Sequence, residues 1–187
     1  MSSSGKRAPR IDATKNREQL VAAARRVFAE SGPDAPLEDV AQAASVSRTT
    51  LYRNFRTREQ LIATLLEENV TEIEKHAAAL HGSSRGIVLL FDFVLDQQSV
   101  NGALVRVLVR ADEAPLLALS RRTREAFGPL LVTGLRDGTI HADVQMDDVM
   151  LAFSMAAEAI AESARTGRRM DDRVRVLLHR ALWRAER

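Results

Sequence analysis

Apolar residues recur at spacings of three and four along most of the chain, and that periodicity confines it to helices packed on helices. Leu20, Ala24, Val27 and Phe28 form one such face before Gly32-Pro33 stops it, and Leu37, Val40, Ala41 and Ala44 repeat the pattern over barely two turns. Ser47 is a good N-cap, and Leu51 and Phe55 behind it make an equally short third helix. Thr57-Arg58-Glu59-Gln60 has the form of a capping box, from which Leu61, Ile62, Leu65, Leu66, Val70, Ile73 and Ala77 carry a fourth helix to His81-Gly82, about 23 residues or roughly 35 Å. Further helices are expected over 84–98, 101–111, 114–136, 145–165 and 171–185. Gly102, Pro115, Gly138 and Gly167 punctuate them, and Gly128-Pro129 kinks or breaks the third. No stretch reads as a strand and no repeat is present. The aromatic content agrees, because strands favour aromatic and β-branched residues and the chain has only six Phe, one Tyr and one Trp. The expected fold class is all-α.

The chain is 187 residues long with a net charge of +2, but the charge is unevenly placed. Residues 1–58 hold 11 Lys and Arg against 6 Asp and Glu, a net of +5; residues 59–187 hold 16 against 19, a net of −3. The asymmetry fits an N-terminal part that meets a polyanion, although a solvated basic face gives the same count.

Zero cysteines exclude disulfides, thiolate metal sites and cysteine nucleophiles, and favour a cytoplasmic protein. The Ser-, Gly- and base-rich start has no apolar stretch behind it and is not expected to be a signal peptide. No apolar run reaches membrane-spanning length. His76, His81, His141 and His179 are scattered, with no HExxH pair, phosphate-binding loop or nucleophile elbow, so neither an enzyme nor a cofactor or metal is expected.

Two later helices are apolar almost all round. Between Ile87 and Leu95 only Asp92 and Asp96 mark a polar stripe, as in a helix at the centre of a bundle. Residues 149–161 are similar, interrupted by a line through Asp147, Ser154, Glu158 and Glu162. A bundle of this size has room for one central helix. The second therefore packs within the monomer or is covered by another subunit, with the stripe Val174, Leu177, Leu178, Ala181 and Leu182 joining the contact. Arg106 and Arg110 lie one turn apart on a helix otherwise made of Leu and Val. They pair with Asp92, Asp96 or solvent, or else meet an acidic ligand.

The second and third helices and the Ala44-Ser45-Val46-Ser47 connection form a helix-turn-helix candidate, with Val46 plugging the angle and Leu51 and Phe55 pointing inward. The first turn of the third helix would then present Arg48, Thr49 and Thr50 to a DNA groove. The wider string, from Phe28-Ala29-Glu30-Ser31-Gly32 through Leu37 to Leu61, closely resembles the DNA-binding region of TetR-family transcriptional regulators. The Thr50-Leu51-Tyr52-x-x-Phe55 element followed by the pair Arg58-Glu59 is specific to that family. The resemblance is strong over 12–66. Beyond that it is weak, resting on Gly138-Thr139-Ile140-His141-Ala142-Asp143 leading through Asp147-Asp148 into an apolar helix.

The resemblance implies a homodimer joined through its last two helices, with an unknown small-molecule effector held in the C-terminal bundle. It implies base reading by Arg48 and Thr49 with Thr50 nearby, and phosphate contacts from Ser47, Tyr52, Asn54 and Arg58. For Tyr52 a half-buried core role is the alternative, and Arg53 and Arg56 suit a solvated face equally. Three residues depart from the family pattern. Ser45 stands where Gly is usual, in a turn that favours φ > 0; Pro36 replaces a capping Thr; and Asn54 replaces His. The expected organisation is a flexible basic arm over 1–11, a helix-turn-helix DNA-binding domain over 12–58, and a regulatory and dimerisation domain over 59–187. Leu66, Val70, Ile73, Phe91, Leu95, Arg106, Arg110 and Phe127 are candidate pocket residues. The expected function is a repressor released from a near-palindromic double-stranded DNA operator by a small ligand. The alternative is a ligand-independent DNA-binding or scaffold dimer with a solid C-terminal core.

Overall fold

The computed structural model describes residues 8–111, 114–167 and 171–184. These form α1 (Ala8–Ser31), α2 (Leu37–Ala43), α3 (Arg48–Asn54), α4 (Arg58–Ala79), α5 (Gly86–Asp96), α6 (Gln98–Ala111), α7 (Ala114–Arg136), α8 (Met146–Thr166) and α9 (Asp171–Leu182). The chain divides into two compact units, Met1–Leu65 and Leu66–Arg187. The division falls inside α4 rather than at its start because Leu61, Ile62 and Leu65 are buried in the core of the first unit. Residues 8–11, expected in the arm, are the first turn of α1; residues 1–7 lie outside the described residues.

Helices of seven residues are not stable alone, so α2 and α3 depend on the surface they cover. Leu37, Val40 and Ala41 of α2 and Leu51 of α3, with Phe55 just beyond, are buried with Leu20, Ala24 and Phe28 of α1. Arg17 of α1 lays its guanidinium over the Phe55 ring, 4.4 Å from its centre, and donates to the Thr64 hydroxyl at 3.0 Å. In the capping box at α4, the Gln60 N–H donates to Thr57 Oγ1 at 3.3 Å. The Gln60 amide oxygen accepts from the N–H of Arg56 rather than of Thr57.

The second unit is built around α5. Ile87, Leu90 and Phe91 have no exposed surface. Phe91 stacks on Phe153 of α8 at 4.8 Å and meets Trp183 edge-on at 5.3 Å, and Phe127 of α7 meets Phe153 edge-on at 5.5 Å. The polar stripe of α5 faces α9: Arg175 Nη1 and His179 Nε2 both lie 2.8 Å from Asp92 Oδ1, and Arg175 also bonds Asp96. These aspartates are thus taken by α9 and not by Arg106 or Arg110.

Three details of the helices depart from expectation. α7 continues without a break through Gly128-Pro129, flanked by the buried Phe127 and Leu130. Gly102 lies inside α6 rather than between helices, where a Cβ would sit 3.5 Å from that of Ala157 in α8. α9 stops at Leu182, and Trp183 forms an isolated antiparallel bridge with Ile140. Two further bonds zip these segments, His141 N–H to Leu182 O at 3.2 Å and Arg184 N–H to Thr139 O at 2.9 Å. The turn at Gly138 (φ +73°) delivers the chain to that bridge, where the N–H groups of Thr139 and Ile140 both donate to Gly134 O.

Arg122 ties α7 to α4 by two bonds to the Glu74 carboxylate, 2.8 Å from Nε and 2.6 Å from Nη2. The hydrogen bond from Arg122 holds the Glu74 carboxyl below its ordinary value. A carboxyl lowered on folding contributes stability at neutral pH that is lost as the pH falls through its folded value. Arg122→Met is therefore expected to lower the melting temperature at pH 7 while narrowing the gap to the parent protein as the solution is acidified below the carboxylate range. Melting curves of both proteins across pH check this.

Candidate nucleic-acid interface

The turn between α2 and α3 sets the site. Val46 N–H donates to Ala41 O at 3.0 Å and Ser45 N–H to Gln42 O at 2.9 Å, the paired bonds of a Schellman ending with its left-handed residue at Ser45. Ser45 is the one non-glycine residue with positive φ (+55°) among the described residues. Val46 follows half-buried, and Ser47 caps α3 by accepting from Thr50 N–H at 3.1 Å; its hydroxyl also lies 2.9 Å from that of Thr50.

Leu51 and Phe55 are buried, so the opposite side of α3 faces out. Ser47, Arg48 and Thr49 are exposed, Thr50 is half-buried, and Tyr52 is 38% exposed. Arg48 Nη2 lies 3.0 Å from Glu38 Oε1 of α2, its guanidinium lies 5.6 Å from the centre of the Tyr52 ring, and the Tyr52 hydroxyl reaches the same Glu38 oxygen at 3.4 Å. An exposed pair of this kind contributes roughly 0–1 kcal/mol, so it orients Arg48 at little cost to its release. Glu38 was not legible as part of the site, since it lies on another helix and nothing in its local pattern marks it.

Asn54 and Arg58 are engaged inside the unit. Asn54 Nδ2 donates to Thr50 O at 2.8 Å, and Arg58 Nη1 bonds the carbonyls of Pro33 and Ala35 at 2.5 and 2.6 Å, holding the α1–α2 connection. Pro36 is the N-cap of α2 and supplies no side-chain cap, leaving Asp39 N–H to its carbonyl.

The candidate pocket residues do not share one of the described cavities. Phe91 and Phe127 are wholly buried with their rings against Phe153, and Leu66, Val70 and Ile73 are buried core. Leu95 borders a concavity of about 200 Å³ with Arg175. Arg106 and Arg110 border another, of about 450 Å³, between α6 and α8 with Val105, Phe153 and Glu158.

A helix-turn-helix with an exposed first turn, on its own compact unit and followed by an all-helical unit, is the build of a DNA-binding regulator. Residues 20–65 match the family model described as bacterial regulatory proteins, tetR family. A TetR transcriptional regulator from Streptomyces coelicolor is 26% identical, with a TM-score of 0.65 over 90% of this chain and 99% of that one. A TetR transcription regulatory protein from Mycobacterium vanbaalenii is 24% identical, with a TM-score of 0.66 over 92% and 98%. A gamma-butyrolactone receptor described as ArpA-like is 21% identical, with a TM-score of 0.61 over 92% and 91%. Among curated proteins nothing matches. Residues 20–65 thus carry a DNA-binding region similar to that of TetR-family regulators, and the whole chain has their fold. No helix of the described residues is long and apolar enough to cross a membrane.

A side chain in the left-handed region is strained by about 1–2 kcal/mol, partly offset by the greater freedom that glycine loses on folding. Ser45→Gly is therefore expected to stabilise the protein by about 0.5–1 kcal/mol. Chemical denaturation reads this as a higher midpoint at unchanged slope.

Proposed function

We propose that the protein is a homodimeric repressor that reads a near-palindromic operator and leaves it when a small molecule binds the C-terminal unit. The observation that carries the DNA-reading half is the exposed first turn of α3. Arg48, Thr49 and Thr50 face base edges there, Arg48 donating two bonds to a guanine, while Ser47 and Tyr52 contact phosphates. Asn54 and Arg58 act as positioning residues, through the end of α3 and the α1–α2 connection.

The dimer is supported by apolar surface on the last two helices. Leu151 and Met155 of α8 and Val176 and Leu177 of α9 are exposed, and Met155, Ala159, Val174 and Leu177 line an apolar concavity of about 540 Å³. Two-fold pairing through this face would set two copies of α3 on successive turns of the duplex. The effector half is supported by the similarity to a receptor for a small lactone. An effector drives release only if it binds the DNA-free arrangement more tightly than the operator-bound one. The filled aromatic core around Phe91, Phe127 and Phe153 favours a second reading, a ligand-independent DNA-binding dimer. Challenging the operator complex with a metabolite panel separates the two: a compound that lowers operator affinity supports the first reading, and none doing so supports the second.

Selection of bound sequences from random DNA gives the operator needed for two tests. Arg48→Ala is expected to cost about 1–3 kcal/mol in operator affinity, measured by fluorescence anisotropy, and to relax the selected sequence at one position of each half-site; unchanged affinity and sequence would remove Arg48 from base reading. Leu177→Glu places a charge on the exposed apolar face. It is expected to give a folded monomer by sedimentation with operator affinity reduced at least about tenfold, because one half-site is then held alone.

A further inference from the structure

The C-terminal unit contains a further concavity, of about 1090 Å³, that none of the preceding roles uses. It lies where the start of α5, the α7–α8 connection and the end of α9 come together, and Arg85, His141, Arg180, Trp183 and Arg184 are among its lining. We propose that this groove binds a small organic anion carrying two or more negative charges, carboxylate or phosphate, with Arg180 and Arg184 as counter-charges and Trp183 in its wall.

Four observations carry the assignment. The lining holds three arginines against one carboxylate, Asp137. That carboxylate is already taken, since Arg136 bonds Asp137 at 2.8 and 3.3 Å and holds its carboxyl below the ordinary value. Arg180 and Arg184 have no carboxylate partner among the described residues, whereas Arg122, Arg124, Arg136, Arg165 and Arg175 of the same unit each meet one. Finally, the indole N–H of Trp183 is buried with no hydrogen-bond partner, although Trp183 is only 6% exposed and a buried donor left unpaired costs about 1–3 kcal/mol.

Other groups at the groove fit the same ligand class. Val88 of the lining lies in the first turn of α5, where backbone donors have no intrahelical acceptor and the helix dipole favours negative charge. His179 is held by Asp92, while the His141 ring supplies a further polar edge. Backbone bonds at Thr139, His141 and Arg184 join the α7–α8 connection to the end of α9 and so form this wall of the groove. The volume suits a metabolite rather than a single inorganic ion. The inference does not depend on DNA binding and is tested without DNA.

Trp183 is the single tryptophan, so its emission reports on the groove in the unmodified full-length chain. Citrate and pyrophosphate are titrated separately, each against sodium chloride at matched ionic strength. The expected result is a saturable change in emission with at least one of the two at concentrations where chloride has no effect. Response to citrate alone assigns a carboxylate ligand, to pyrophosphate alone a phosphate ligand, and to both a polyanion in general; all three support the site. The double variant Arg180→Gln/Arg184→Gln alters two exposed side chains and is expected to keep its melting temperature while weakening binding by about tenfold or more. Calorimetric titration of the parent protein provides a second measurement should the variant fold poorly. Titrations that coincide with chloride, or a folded double variant that binds like the parent, would overturn the proposal.

Discussion

Covering the apolar surface of α5 is the constraint from which the C-terminal unit is built. A helix with Ile87, Leu90 and Phe91 fully enclosed must be surrounded, and full burial of one such side chain stabilises by about 1.5–3 kcal/mol. The rings of Phe153 and Trp183 close on Phe91, which ties α8 and the end of α9 to α5. The two aspartates on the remaining stripe then need partners, and α9 supplies the Arg175 guanidinium to both and the His179 ring to Asp92. With its core side committed in this way, α8 leaves Leu151 and Met155 outside. The proposed dimer face is thus what remains after the central helix has been covered.

A different constraint governs the N-terminal unit. Seven-residue helices hold their shape only by packing, and the angle between α2 and α3 is set by one turn. Ser45 takes a backbone conformation that glycine adopts without strain, so that Val46 turns inward and Ser47 can cap α3. Once Leu51 and Phe55 are inside, Thr49 and Arg53 have to be outside, while Arg48 is exposed because it stands on the first turn, ahead of the buried stretch. The exposed surface follows from the burial of Leu51 and Phe55 together with the position of Arg48 on the first turn of α3, and Glu38 then adjusts where Arg48 rests.

Most of the helices were legible because each carries its own periodic stripe, and the outward-facing residues of α3 were legible because the inward ones are spaced by four. Contacts between distant segments were not. Asp92 and Asp96 suggested a pair with Arg106 and Arg110 on the next helix, but side chains find partners by position in space, and α9 lies against that stripe. Arg58 looked like a phosphate ligand, yet two carbonyls of the α1–α2 connection lie within its reach. The candidate pocket residues divide for a related reason: apolar residues that line a cavity and apolar residues that fill one have the same spacing, and Phe91 and Phe127 fill while Leu95 borders a concavity.

By itself, then, the sequence determined the helical class, the helix-turn-helix and its likeness to the TetR DNA-binding region, since these depend on local spacing, capping and a contiguous motif. Tertiary structure alone decided which charges are spent and which are free. The groove beside Trp183 is assembled from residues nearly a hundred positions apart, from Arg85 to Arg184, through a backbone bridge between Ile140 and Trp183. No periodicity announces such a meeting, because it arises only when the ends of three elements are brought together by the burial of other residues.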